Sequence, residues 1–139
     1  MFDWLVKFFK KSEDSRRVVL ITGASTGLGL ALVKELSQTS KFHVIATARC
    51  SSLGRFTDAG VFEAENLWIR PLDVLLKSER DAVIKEANEK LGGVDVLINN
   101  AGYCLRSVVE QVNETERLRQ IDTNFRAPMA LIRGILPHM

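Results

Sequence analysis

Apolar and polar positions along the chain follow two different periods. Four short and largely apolar runs, typical of strands buried on both faces, alternate with segments in which apolar residues recur every three or four positions. The runs are Val18–Ile21, His43–Ala48, Leu67–Leu72 and Val94–Ile98, and the helical segments are Leu28–Ser37, Ser78–Leu91 and Asn113–Leu136. This alternation predicts right-handed βαβ units, so we expect an α/β fold whose parallel sheet of about four strands is doubly wound by flanking helices.

Individual residues refine the boundaries of these elements. Pro71 has no N–H to donate to a strand ladder, so the third strand is expected at an edge of the sheet. Ser78 is expected to cap the helix that follows it, and Asn113 with Glu116 forms a capping pair for the last helix. Pro128 predicts a kink within that last helix.

The first eleven residues, MFDWLVKFFKK, have an amphipathic pattern. On a helix, their apolar side chains fall in one arc and Asp3 and the lysines in the other. Two interpretations stay open: an N-terminal amphipathic helix that makes peripheral membrane contact through residues 1–11, and a helix that packs on the domain or on a partner subunit. Residues 1–15 are therefore predicted to be an amphipathic segment and linker, and residues 16–139 one domain.

Composition excludes several classes of function. The net charge of +2 and the absence of a basic stripe interleaved with aromatics predict no nucleic-acid partner. Cys50 and Cys104 stand in no metal-ligand spacing, and His43 and His138 are isolated, so no metal site is predicted. The cysteines are expected to be free thiols, which favours a cytoplasmic protein, located at a membrane surface if residues 1–11 bind lipid.

The strongest chemical signal follows the first strand. Gly23, Gly27 and Gly29 are expected, respectively, to turn the chain, to let backbone approach a ligand and to let the next helix pack on the sheet. The unpaired N–H groups at the start of that helix favour phosphate. The turn is thus a candidate dinucleotide cradle made by Gly23, Ser25, Thr26, Gly27, Leu28 and Gly29.

The other strand ends also carry candidate binding residues, because ligands bind beyond the carboxyl ends of parallel strands. Arg49 ends the second strand, where an NAD site offers a carboxylate, and its guanidinium suits a 2′-phosphate, so NADP(H) is favoured over NAD(H). Asp73, followed by Val74, is either a turn residue or an acceptor for the adenine amino group, and we favour the acceptor. The fourth strand ends in Asn99, Asn100, Ala101 and Gly102. These residues either form hydrogen bonds with local backbone groups or close the floor of the pocket beside the cofactor ribose.

These motifs together resemble the short-chain dehydrogenase/reductase family. The resemblance rests on TGASTGLG at Thr22–Gly29, on Asp73, on NNAG at Asn99–Gly102 and on Asn124 in the sequence DTNF, and it covers Arg17–Met139. It implies a Rossmann-type fold and hydride transfer between a nicotinamide cofactor and a small-molecule carbonyl or alcohol, with Asn124 in a water-linked proton relay. Members of the family often form oligomers, so a second copy of the chain is an expected partner.

The chain departs from the family pattern at the residues that carry the chemistry. In the family a Tyr acts as general acid/base, a Lys stands four residues later, and a Ser orients the substrate. The single tyrosine here, Tyr103, is followed four residues later by Ser107, so Asn124 is the one catalytic residue with a match.

We therefore predict the N-terminal, cofactor-binding part of a longer oxidoreductase, with an incomplete sheet. The fourth strand is then an edge, and the last helix exposes an apolar face. The alternative is a non-catalytic nucleotide-binding or interaction module.

Overall fold

Strands and helices alternate along the chain as the hydrophobic pattern predicts. The computed structural model describes residues 16–139, and residues 1–15, with the predicted amphipathic helix, lie outside the described residues. The elements are β1 (Arg17–Ile21), α1 (Gly27–Ser37), β2 (Phe42–Ala48), α2 (Gly54–Asp58), β3 (Leu67–Pro71), α3 (Lys77–Leu91), β4 (Val96–Ile98), α4 (Glu114–Ile121) and α5 (Ala127–Ile135). A π-helical segment, Asp122–Arg126, joins α4 to α5.

The four strands form one parallel sheet in the order β3-β2-β1-β4. β3 pairs with β2 alone among the described residues, which confirms the edge position that Pro71 predicts. β4 forms the other edge, as expected. The chain winds outward from β1 to β3 in one direction and then returns to place β4 on the other side of β1. The crevice at this reversal lies at the carboxyl ends of β1 and β4, where open α/β sheets bind their ligands.

Alternate residues of the central strand face two separate hydrophobic cores. Val18 and Leu20 pack in a cluster that includes Ile84 of α3 and Leu131 of α5. Val19 and its neighbour Ile21 pack in a second cluster, on the other face, with residues of α1 and α2. Helices therefore cover both faces of the sheet, and the doubly wound α/β fold is confirmed. None of the helices between residues 16 and 139 has the length and apolar character needed to cross a bilayer.

The structure corrects one predicted helix boundary and confirms another. The Oδ1 atom of Asn113 accepts a hydrogen bond from the backbone N–H of Glu116 at 2.9 Å, as the capping pair predicts. The prediction that Ser78 caps α3 is wrong, because α3 begins at Lys77 with Leu76 in the cap position and no side-chain capping hydrogen bond. A polar residue near a helix start marks its approximate position but does not fix the residue where the helix begins.

A π-helical segment, Asp122–Arg126, ends two residues before Pro128, where the sequence predicts a kink. Pro128 has no N–H for the carbonyl of Asn124, so the regular hydrogen-bond ladder cannot continue through this point. A π-turn accommodates the change with one wider turn of helix. The helix thus continues into α5, whose Leu131 and Ile135 are buried.

One side of the last helix exposes the apolar face that the pattern predicts. Six large apolar side chains, spaced three or four residues apart, are 38% to 63% exposed: Leu118, Ile121, Phe125, Met129, Ile132 and Leu136. The opposite side carries the buried residues Ala127, Leu131 and Ile135. The helix therefore packs on the sheet with one face and presents a second apolar face outward.

Arg70 links the edge strand β3 to α3. Arg70 donates through Nε and Nη2 to the two carboxylate oxygens of Glu86, at 2.8 Å and 3.2 Å, and through Nη1 to Glu63. Its guanidinium lies 4.8 Å from the ring centroid of Trp68. The Arg70 hydrogen bond lowers the pKa of Glu86, and the backbone N–H of Ile69 lowers the pKa of Glu63. Both carboxylates are thus stabilised in their charged form.

Replacing Arg70 by Met keeps the apolar stem and removes this charge. We expect the free energy of unfolding near neutral pH to fall by about 1 kcal/mol, a modest value because the partners are partly exposed and screened. The folded pKa of Glu86 lies below the ordinary value of 4.5. The stabilisation is therefore present above that value and is lost as the pH falls through the lowered folded pKa.

Urea unfolding near neutral pH and again at about pH 3 measures the effect of Arg70→Met. The difference between wild type and variant should shrink in acid. Lys85→Met removes an exposed partner of Glu89, 3.8 Å away, and serves as the control with little effect at either pH. A loss of stability for Arg70→Met that is the same at both pH values would contradict the electrostatic account.

Candidate functional site

A cleft of about 530 Å³ opens at the carboxyl ends of the strands. All four strand ends contribute residues to it, and the cleft face of α4 adds a further wall. Nine of the predicted site residues line this cleft: Gly23, Ser25, Thr26, Arg49, Asp73, Val74, Asn100, Ala101 and Gly102. Five others do not line it: Gly27, Leu28, Gly29, Asn99 and Asn124.

Two glycines let the glycine-rich turn fit between strand and helix. Gly23 has φ of +63°, and a Cβ there would lie 2.8 Å from the Cα of Ala101, so a side chain is excluded by both conformation and space. A Cβ on Gly29 would lie 2.5 Å from Nδ2 of Asn100 and 2.8 Å from the carbonyl oxygen of Gly23. The turning role of Gly23 and the close helix packing at Gly29 are therefore confirmed.

The N-terminus of α1 has no side-chain cap. Thr26 occupies the cap position, but its side chain makes no capping hydrogen bond. The first turn also carries no acidic residue, and Leu28 within it is 70% exposed. The first backbone N–H groups of a helix lack partners within the helix and carry the positive end of its dipole. The start of α1 thus suits an anionic group above the turn.

Asn100 joins the glycine-rich turn to the end of β4. Its Nδ2 donates to the carbonyl oxygens of Thr22 and Gly23, both at 3.0 Å. In return, Thr22 Oγ1 accepts from the backbone N–H groups of Asn100 and Ala101, at 3.1 Å and 3.0 Å. The hydrogen bonds show that Asn100 satisfies local backbone groups, and its position shows that it also forms part of the cleft wall. The neighbouring Asn99 is exposed.

Asp73 has a structural partner and also faces the cleft. Its Oδ1 accepts from the backbone N–H of Leu75 at 3.0 Å, which is an Asx-turn, and its own N–H donates to Glu79. The turn role is therefore present. The residue also lines the cleft, beside the buried Leu72 and Val74, where it meets the positional requirement for a contact to a bound base.

The side chain of Asn124 holds a backbone segment and does not line the cleft. Its Oδ1 accepts from the N–H of Tyr103 at 3.0 Å, and its Nδ2 donates to the carbonyl oxygen of the same residue at 2.7 Å. A Cβ on Gly102 would lie 3.0 Å from this Oδ1, so a side chain there would have to displace the Asn124 amide slightly. Asn124, which lies in the π-helical segment, thus holds the segment that follows β4 in place. Gly102 and Tyr103 of that segment line the cleft, whereas Asn124 does not.

The cleft also contains polar residues that are not among the predicted site residues. Ser52 and Arg55 line it after β2, and a second group on the last helix comprises Glu116, Arg119 and Thr123. Both sets have a helical spacing, which indicates that the members of each set lie on one side of a helical turn. The sequence does not show whether that side faces the strand ends.

We expect Asn100→Asp to destabilise the protein by roughly 1–3 kcal/mol, because a carboxylate would face the carbonyl oxygens of Thr22 and Gly23 without a proton to donate. Asn99→Asp makes the same chemical change at the adjacent exposed position and is the matched control. Urea unfolding of the two variants near neutral pH gives the comparison. Equal losses of stability for both variants would show that the Asn100 amide does not hold the turn.

The chain matches the family model described as short chain dehydrogenase over residues 17–139. It is 31% identical over 126 residues to Dehydrogenase/reductase SDR family member 7 of Mus musculus, covering 88% of this chain and 37% of that protein. Among solved structures, a short-chain dehydrogenase from Streptomyces avermitilis superposes with a TM-score of 0.81 at 30% identity, over 91% of this chain and 45% of that one.

A second structure, the NADPH-bound carbonyl reductase from chicken fatty liver, superposes with a TM-score of 0.78 at 31% identity. This match covers 88% of the present chain and 51% of the reductase. The chain thus spans about half or less of the length of these three relatives. With a family match from residue 17 to residue 139 and a Rossmann-type sheet of the same form, the chain belongs to the short-chain dehydrogenase/reductase family.

Proposed function

We propose that this chain is the cofactor-binding part of an NADP(H)-dependent oxidoreductase that acts on a small-molecule carbonyl or alcohol. The preference for NADP(H) rests on one observation. Arg49, Ser52 and Arg55 line the same cleft and stand three residues apart, and we call these three residues the Arg49 row.

A short turn connects these three residues. The backbone N–H of Ser52 donates to the carbonyl oxygen of Arg49 at 2.7 Å, and residues Cys50–Ser52 form a 3₁₀ turn. Arg55 follows in α2, one further step of three along the chain. Two guanidinium groups and one hydroxyl group therefore line the cleft after the end of β2.

The charges of this row are available to a ligand. Neither Arg49 nor Arg55 forms an ion pair with any residue from 16 to 139. From Lys41 to Thr57 the sequence contains no carboxylate that could bind the ribose hydroxyls of NAD(H). Guanidinium groups bind phosphate oxygens in a bidentate manner, so the row suits the 2′-phosphate of NADP(H). The NADPH-bound state of the related chicken reductase supports the same assignment.

The remaining site residues then take consistent roles. The turn at Gly23, Gly27 and Gly29 and the open start of α1 hold the pyrophosphate. Asp73 and Val74 receive the adenine. The carboxyl end of β4, which Asn100 and Asn124 hold in place, forms the wall beside the ribose and leads to the nicotinamide. When bound, the nicotinamide supplies or accepts the hydride.

A second candidate is a nucleotide-binding module without catalysis of its own. Reduction of a carbonyl needs a positioned proton donor for the developing alkoxide. The single tyrosine, Tyr103, has Ser107 and not a lysine four residues later. We therefore expect this chain alone to bind NADPH without oxidising it in the presence of ketones or aldehydes. Turnover of NADPH by the chain alone would favour a complete catalytic site and exclude the module.

Binding of NADPH and NADH to variants tests the assignment of the Arg49 row. Arg49→Asp should weaken NADPH binding by roughly tenfold or more, because a charged hydrogen bond is replaced by repulsion, and should move the ratio of the two dissociation constants toward NADH. Arg55→Ala should move the ratio in the same direction by a smaller factor. Arg133→Asp, an exposed site outside the cleft, makes the same charge change and should leave the ratio unaltered. An unchanged ratio in Arg49→Asp would refute the assignment.

A further inference from the structure

The cleft has one polar wall to which neither the glycine-rich turn nor the Arg49 row contributes. Glu116 and Arg119 of α4 and Thr123 of the π-helical segment all line the cleft. Their spacing of three and four residues places them on one side of the helix. This wall is separate in sequence from the elements that receive the phosphates, so its role requires its own explanation.

Arg119 is the residue of this wall whose charge is not neutralised by a neighbour. Two turns further along, Arg126 pairs with Asp122 at 2.9 Å. The guanidinium of Arg119 makes no ion pair with any residue in the range 16–139, although Glu116 stands only three positions before it. Arg119 therefore has a planar, cationic group available at the cleft.

The other components of the cleft indicate which part of a ligand this group meets. Leu72 and Val74 at the end of β3 are buried and give the cleft an apolar floor, and Asp73 between them is a hydrogen-bond acceptor. An apolar floor with one polar group at its edge suits a flat heterocyclic base better than a phosphate. A guanidinium stacks on an aromatic face and needs no anion to do so.

We propose that Arg119 closes the adenine pocket by stacking its guanidinium on the exposed face of the adenine ring. This inference rests on the proposed function, because it requires a dinucleotide in the cleft. Arg119 is then a specificity residue for the adenine half of the cofactor. Its contribution is independent of the 2′-phosphate, whereas the contribution of Arg49 and Arg55 depends on it.

The test measures the affinity of the full chain and of Arg119→Ala for three ligands by isothermal titration calorimetry. The ligands are NADPH, NADH and adenosine 2′,5′-bisphosphate, which keeps the base and lacks the pyrophosphate bridge. Arg119→Ala should weaken all three by about the same factor, roughly fivefold for the loss of one stacked cation. Arg117→Ala, on the same helix but outside the cleft lining, is the control and should leave all three affinities unchanged.

Arg119→Lys separates stacking from simple charge attraction. It keeps the positive charge and loses the planar guanidinium, so it should recover only part of the lost affinity. Full recovery by lysine, or a loss confined to the two dinucleotides, would overturn the stacking contact in favour of attraction to the pyrophosphate. If Arg119→Ala leaves all three affinities unchanged while the wild-type chain prefers NADPH, this inference is overturned and the proposed function stands. Absence of nucleotide binding by the wild-type chain would instead refute the proposed function.

Discussion

The side-chain amide of Asn100 holds together the two strand ends on which the candidate site depends. Its donation to the carbonyl oxygens of Thr22 and Gly23 fixes the glycine-rich turn against β4. The Thr22 hydroxyl completes the connection by accepting from the backbone of the fourth strand end. The close approach of Gly29 to Asn100 then brings the start of α1 to the same place. One amide thus connects the glycine-rich turn, the end of β4 and the start of α1.

This arrangement separates the charges of the cleft into distinct places. The start of α1 presents backbone N–H groups beside the turn, while Arg49 and Arg55 present guanidinium groups at the end of β2. At the sheet edge beyond β2, the end of β3 offers an apolar floor with Asp73 beside it. A ligand with a pyrophosphate, a base and a further phosphate satisfies these three places together. The proposed ligand NADP(H) carries all three groups, and Arg49 and Arg55 are the residues proposed to bind its 2′-phosphate.

Much of the fold follows from the sequence because its determinants are local and periodic. The four apolar runs, the glycine spacing and Pro71 predict the parallel sheet, the packed turn and the edge strand. The sequence is less informative about residues that reach the cleft only because their side of a short helical turn faces it. Arg55 and Arg119 are unremarkable in sequence and reach the cleft because their turns face it. Ser78 has the properties of a cap, but the helix begins one residue earlier.

A crystal structure of the chain with NADPH would show whether the cleft is a preformed site for NADP(H). We expect the pyrophosphate at the first backbone N–H groups of α1 and the 2′-phosphate between the guanidinium groups of Arg49 and Arg55. A nucleotide bound elsewhere on the chain would contradict the account, as would a 2′-phosphate that points away from both arginines.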